Sequence, residues 1–269
     1  MDPVSMTACW MAAVRARETA RPDRLFDDPL AQVLAGQDGF ELMTSMEVDL
    51  PENPTIPIRT RFFDDALVGV VAGHGIGQVV VLAAGMDSRA YRLDLPILFE
   101  IDRPALLELK EARLAAASAK PRCQRVAVAA DLTGEWARDL VTAGFDADSP
   151  SVFLAEGLVG YLVEPDVGRL LNVVDRLAAP GSFLLADVSG RSALDAPYMA
   201  FWFERLADNG IAGGRFGTDD PEGLLAAHGW TANVYQYGDD AANFGRWPYP
   251  SIPRDDLSLP HNYLIVAER

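Results

Sequence analysis

The chain has 269 residues, 49% hydrophobic and 23% charged, a composition that excludes a disordered or fibrous protein and suits a single globular domain. Thirty-nine acidic against 23 basic side chains leave a formal charge of −16, which repels phosphate backbones and anionic lipid and points to a small-molecule partner rather than nucleic acid or membrane. Cys9 and Cys123 have neither metal-ligand spacing nor disulfide density, so no metal site is expected and a reducing compartment is. The opening residues lack a basic segment followed by an apolar one, and the apolar run from Val79 to Met86 is too short to span a bilayer, so a cytoplasmic location is expected.

Residues 1–74 read as a helical cap. Thr7 to Glu18 carries a mixed apolar stripe, and Asp28-Pro29 opens a helix with Leu30, Val33 and Leu34 inward. Arg61 to Val71 forms a third helix after a proline-rich connector, Pro51 to Pro57. From 76 to 188, short β-branched runs alternate with helical stretches, the pattern of a parallel sheet covered on both faces. The expected strands are Gln78 to Leu82, Leu98 to Asp102, Gln124 to Ala130, Val152 to Ala155 and Ser182 to Val188; helices Pro104 to Ala119 and Glu164 to Ala179 lie between them. Residues 189–218 form a gap of about thirty residues before the next helix, Pro221 to His228, too long for an ordinary strand-to-helix loop and read as a lid inserted over the sheet. In the closing segment, 219–269, two strands, Ala232 to Tyr237 and Tyr263 to Glu268, are joined by a proline-rich loop from Asp239 to Pro260.

The strand ends carry the chemistry. Leu82-Ala-Ala-Gly85 is a buried strand running into a turn of small residues, which lets a ligand approach the backbone, although it is not a full G-x-G-x-x-G signature. Seventeen residues beyond Gly85 is Asp102, placed to accept hydrogen bonds from both hydroxyls of a ribose or, alternatively, to cap the helix that starts at Pro104; Glu100 is a second candidate for the ribose. The third strand ends in Ala130-Asp131-Leu132, where a carboxylate and a backbone N–H suit an adenine edge or a simple turn. The fourth ends in Ala155-Glu156-Gly157. Three successive strands ending in acids mark one edge of the sheet as a ligand site.

Arg15 to Leu30, Ile58-Arg-Thr-Arg-Phe-Phe-Asp64, Leu82 to Leu93, Phe99-Glu-Ile-Asp102 and Ala155-Glu-Gly-Leu-Val-Gly-Tyr-Leu162 resemble the leucine carboxyl methyltransferase-like family of S-adenosylmethionine-dependent methyltransferases, in its bacterial polyketide O-methyltransferase-like branch. The resemblance implies an α/β class I methyltransferase (Rossmann-like) fold, with a seven-stranded sheet, a final antiparallel strand and S-adenosyl-L-methionine as cofactor. It implies that Arg59 grips the methionyl carboxylate, a contact suited to a guanidinium fork. Gly85 then lies beneath the methionine moiety, Asp102 holds the ribose, Asp131 and Leu132 frame the adenine, and Glu156 sits near the cofactor's amine or its sulfonium side. Tyr161 borders the substrate chamber. A surface ion pair for Arg59 and a core place for Tyr161 are the plainer alternatives; Arg89 and Arg92 are assigned to structural pairing. One departure stands out: the family's usual first glycine after the strand is Ala83, whose methyl group would crowd the cofactor.

Of the three histidines, His74 and His228 fall away from the ligand edge, whereas His261, at the start of an antiparallel last strand, falls on it and is the candidate catalytic group. Tyr198, Phe201 and Trp202, with Phe203 beside them, are spaced to share a helix in the lid, either as core or as the roof over a planar substrate. The expected function is methylation of a hydroxyl or carboxyl group on a small aromatic or polyketide-derived molecule. Methylation of a protein carboxylate would call for a flat, open rim, and a catalytically silent cofactor-binding protein would leave no room for an acceptor.

Overall fold

Three helices precede the first strand: α1 (Pro3–Thr19), α2 (Ala31–Met46) and α3 (Thr55–His74). The computed structural model describes residues 3–48, 52–211 and 216–269, with the side chains of Pro197 and Tyr198 outside that description. Helix α3 begins at Thr55 rather than Arg61, because Pro57 sits in its first turn, where backbone N–H groups have no intrahelical partner to lose. Within α2, Gly36 leaves helical geometry at φ 59°, and Arg113 Nη1 donates to the carbonyls of Leu34 (2.6 Å) and Ala35 (3.2 Å) at the break. Leu34 is buried as expected, but Val33 faces solvent.

The remaining elements run β1 (Gln78–Leu82), α4 (Arg89–Arg92), β2 (Ile97–Asp102), α5 (Pro104–Ala116), β3 (Arg125–Ala129), α6 (Trp136–Thr142), β4 (Val152–Ala155), α7 (Glu164–Leu177) and β5 (Phe183–Ser189). After these come α8 (Arg191–Leu194), α9 (Pro197–Asp208), α10 (Pro221–Ala226), β6 (Thr231–Gln236) and β7 (Asn262–Glu268). Helix α5 stops short of Ala119 because Ser118 turns left-handed, at φ 52°. The seven strands are ordered β3-β2-β1-β4-β5-β7-β6, with β7 antiparallel to both neighbours.

Alternate residues of the central strands feed opposite cores, as a doubly covered sheet requires. Val80, Leu82, Phe99 and Ile101 pack against α6, α7 and α10, whereas Val79, Val81 and Leu98 meet Phe62, Phe63 and Leu67 of α3. Helices α1, α2 and α5 share a third cluster through Cys9, Leu34 and Leu106. Because β1 lies between β2 and β4, the strand order reverses at β1, and a crevice opens beyond its carboxyl end. Among the described residues, no helix is long and apolar enough to cross a membrane.

Candidate functional site

A cavity of about 1280 Å³ occupies that crevice, walled by the ends of β1 to β5 and by α1, α3, α9 and the loop before β7. At the end of β1 the chain turns sharply: Ala83 and Gly85 both take positive φ, 53° and 49°. A Cβ on Gly85 would stand 2.9 Å from the Ala8 side chain, so glycine is required there for α1 to close over the turn. Asp102 fixes the same turn, accepting from Gly85 N (2.6 Å) through one carboxylate oxygen and from Arg103 N (2.7 Å) through the other. The α5 helix has Arg103 at its N-cap with no side-chain cap, so Asp102 is not its capping residue. It is 7% exposed and lines the cavity. Burial pushes its carboxyl up against the pull of the Gly85 and Arg103 N–H groups. Each oxygen keeps lone pairs for further donors such as hydroxyls.

Glu100 does not join it. Two residues back from the edge, it is fully buried and accepts from Lys110 Nζ (2.6 Å) and Arg125 Nη2 (2.7 Å), so the alternative ribose acid is instead half of an internal ion pair. Asp131 and Leu132 both line the cavity. The Asp131 carboxylate accepts from Thr133 N (2.8 Å) and Oγ1 (2.7 Å), and these bonds hold it below the usual carboxylate range.

Arg59, on the first turns of α3, spans two strand ends. Its Nε donates to Glu156 Oε1 (3.0 Å) and its Nη1 to Asp187 Oδ2 (2.9 Å), while Asp187 Oδ1 accepts from Gly157 N (2.6 Å). Gly157 has φ 63°, and a Cβ there would lie 3.0 Å from Arg59 Nη2. Glu156 also accepts from Arg89 Nη2 (2.7 Å); burial pushes its carboxyl up, but Arg89 and Arg59 outweigh that and leave it lowered. Arg89 and Arg92 pair with Asp64, and Arg89 also with Asp87. Asp187 was not among the expected site residues: it lies two residues before the end of β5, so a rule that looks for acids at strand ends passes over it.

The opposite wall is aromatic. Tyr161, in a 3-10 turn (Val159–Tyr161), packs with Trp10 and Trp202, whose rings stack at 6.4 Å and 21°. Burial pushes the Tyr161 phenol up, and the same holds for Tyr237, which lines the cavity beside Trp247. Among the described residues of α9, Met199, Trp202 and Leu206 line the cavity, at spacings of three and four. Phe201 does not: one position round the helix from Trp202, it is 41% exposed, with the Arg205 guanidinium 4.4 Å from its ring. Phe203 borders a separate outer groove, and the Tyr198 side chain lies outside the described residues.

His261 is also displaced from its expected role. It is 1% exposed and does not line the cavity; Nδ1 meets Gln236 Oε1 (2.5 Å) and Nε2 the Asp256 carbonyl oxygen (3.0 Å). Strand alternation explains this: His261 shares the face of Tyr263, on which it stacks, while its neighbours Pro260 and Asn262 reach the cavity. His74 and His228 lie elsewhere, against Phe183 and Asp175.

A guanidinium between two acids and a carboxylate on the β1 turn fit the charges and hydroxyls of a zwitterionic nucleoside ligand. With the 3-2-1-4-5-7-6 sheet, they place the chain in the class I methyltransferase fold. Solved structures share it: a DUF574 family protein of Streptomyces avermitilis (TM-score 0.60, 16% identity, 93% of this chain and 97% of that one) and a Synechocystis magnesium protoporphyrin IX methyltransferase with bound SAH (TM-score 0.51, 10% identity, 87% and 95%). The family model of leucine carboxyl methyltransferase matches residues 8–175, and the chain belongs to that family of S-adenosyl-L-methionine-dependent methyltransferases. A candidate S-adenosyl-L-methionine-dependent methyltransferase of Streptomyces coelicolor is 36% identical over 93% of this chain and 90% of its own length. One of a Parafrankia species is 48% identical over 70% of this chain and 64% of its own.

Proposed function

We propose that the chain methylates an oxygen, hydroxyl or carboxyl, of a small aromatic or polyketide-derived molecule. The observation that carries this reading is that one cavity joins the charged strand edge to the rings of Trp10, Tyr161 and Trp202. Flat rings stack on such a wall, and a walled chamber favours a small acceptor over a protein tail. When bound, S-adenosyl-L-methionine supplies an electrophilic methyl group whose transfer cancels a sulfonium charge. Arg59 and Glu156 hold the methionyl carboxylate and ammonium, Asp102 the ribose, and Asp131 with Leu132 the adenine. Trp202 and Tyr161 exclude water and orient the acceptor oxygen for in-line attack. Tyr161 and Tyr237 line the cavity and, as phenols, are protonated near neutral pH, so each can donate to a carboxylate acceptor, which is already ionised; a hydroxyl acceptor must give up its proton to solvent or a base as the methyl group is transferred.

Calorimetry with S-adenosyl-L-methionine should give one site per chain, and a label carried on its methyl group should appear in small phenols or aromatic acids of a test panel. Transfer to intact proteins alone would favour protein carboxyl methylation. Cofactor binding with no transfer to any acceptor would favour a silent binding protein, and the absence of heat with both the cofactor and its demethylated product would end the methyltransferase reading.

A further inference from the structure

The charged groups around Arg59 belong to a longer chain of contacts. Asp28 pairs with Arg15 (2.9 Å) and accepts from Ser88 (2.6 Å), whose hydroxyl in turn accepts from Arg92 (3.3 Å). Arg92 and Arg89 share Asp64, each at 2.8 Å, and Arg89 also holds Asp87 and Glu156. Arg59 then links Glu156 to Asp187, where the chain ends at the cavity wall. Among the described residues this network holds four guanidiniums (Arg15, Arg59, Arg89, Arg92) and five carboxylates (Asp28, Asp64, Asp87, Glu156, Asp187), one negative charge in excess. None of these side chains is more than 18% exposed, so water does little to offset the excess.

S-adenosyl-L-methionine carries one carboxylate, one ammonium and one sulfonium, a net single positive charge; its demethylated product has lost the sulfonium charge and is neutral overall. Resting on the reading that this cavity binds that cofactor, we infer that the network's excess negative charge, to which Asp187 contributes at the cavity wall, biases the site toward the sulfonium form and against the thioether product. Asp187 is the terminal acid. Like Asp28 and Asp87 it meets one guanidinium, where Glu156 and Asp64 meet two, and among the described residues its second oxygen has only the Gly157 N–H. Burial pushes its carboxyl up further than Arg59 and Gly157 pull it down, in keeping with incomplete compensation. The bias speeds turnover, because the site loses its hold on the ligand once the positive charge is gone.

The test is calorimetric and needs no acceptor. Dissociation constants for S-adenosyl-L-methionine and for S-adenosyl-L-homocysteine are measured on the full chain and on Asp187→Asn and Asp187→Ser. Both variants remove the charge and leave an oxygen for the Gly157 N–H, so either suffices if the other fails to fold; Asp187→Glu restores the charge. A unit charge in a partly buried site is worth roughly a tenfold change in affinity for another. The ratio of product to cofactor dissociation constants is therefore expected to fall about tenfold in Asp187→Asn or Asp187→Ser, through weaker binding of the sulfonium form, and to recover in Asp187→Glu. A ratio unchanged across the variants, with both ligands bound, overturns the inference while leaving the cofactor reading intact. Failure of the unaltered chain to bind either ligand overturns the cofactor reading itself.

Discussion

The two sides of the cavity are made of different materials. On the strand-edge side, Arg59, Asp102, Glu156 and Asp187 are held by directed bonds of 2.6–3.0 Å that tie α3, β5 and the turns after β1 and β4 together. On the lid side, Trp10, Tyr161, Trp202 and Leu206 meet through ring and methyl surfaces. Charged partners fix positions to within a few tenths of an ångström and cost heavily when one is removed. Apolar surfaces tolerate rearrangement and set shape instead. The first suits an invariant ligand and the second a variable one.

The largest effect that would expose this difference is Arg59→Ala. Truncation strands Asp187 without its guanidinium and leaves Glu156 with Arg89 alone, a loss of about 3–5 kcal/mol for breaking a buried pair. Denaturant unfolding should show that drop, and S-adenosyl-L-methionine, expected to raise the melting temperature of the unaltered chain, should no longer do so in the variant. A variant of native stability that is still protected by the cofactor would show that the charged side is no more demanding than the aromatic one. Next is Asp102→Ala, expected to weaken the cofactor by about 1.5–3 kcal/mol, the range for hydrogen bonds to a charged group, while cooperative unfolding persists. Undiminished affinity in calorimetry would reduce Asp102 to a brace for the Gly85 turn.

The same contrast governs what could be read without coordinates. The β1, β2 and β4 strands emerge within a residue of their expected ends, because a doubly buried strand is a continuous apolar run bounded by Gly, Pro or Asp. An acid at the end of such a strand must land at the ligand edge, which is why Asp102, Asp131 and Glu156 come together there. Glu100 was misplaced by depth: it shares the strand face of Asp102 but lies two residues below the edge, where Lys110 and Arg125 enclose it. His261 was misplaced by strand parity, since its neighbours Pro260 and Asn262 reach the cavity while its ring faces Gln236 behind the wall. The helix α9 was legible in the sequence but its rotation was not. Aromatic content pointed to Phe201, whereas the inward stripe of Met199, Trp202 and Leu206 is set by contacts with α1 and α2, which lie far away in the chain.

A pair of single substitutions sharpens the lid side. Trp202→Ala removes a ring stacked on Trp10 and half-buried against Leu206, and a loss of about 2 kcal/mol is expected, below the full-core range for tryptophan. Phe201→Ala removes a ring that faces solvent and should stay within about 0.5 kcal/mol of the unaltered chain. Cofactor affinity should be nearly the same in both, since the charged wall is untouched. Equal destabilisation by the two substitutions in urea titrations would mean that α9 is rotated differently in solution.

The smallest effect concerns Ala83, where the family resemblance leads one to expect glycine. Its φ of 53° places an L-residue in the left-handed region, at a cost of about 1–2 kcal/mol relative to ordinary backbone. Ala83→Gly relieves that cost but frees the unfolded chain, which returns about 0.4–1 kcal/mol, and gives up the contact of the methyl group with the core on the α6 and α7 side. The balance is a gain of at most about 1 kcal/mol, read as a higher urea midpoint at unchanged slope. Because Ala83 lines the cavity at the β1 turn, the same substitution also widens the place where the methionine moiety is expected, and calorimetry should show cofactor affinity equal to or tighter than that of the unaltered chain. If the variant is instead less stable and binds more weakly, the Ala83 methyl group is a packing element of the strand-edge wall, and the charged side depends on apolar contact at its tightest turn.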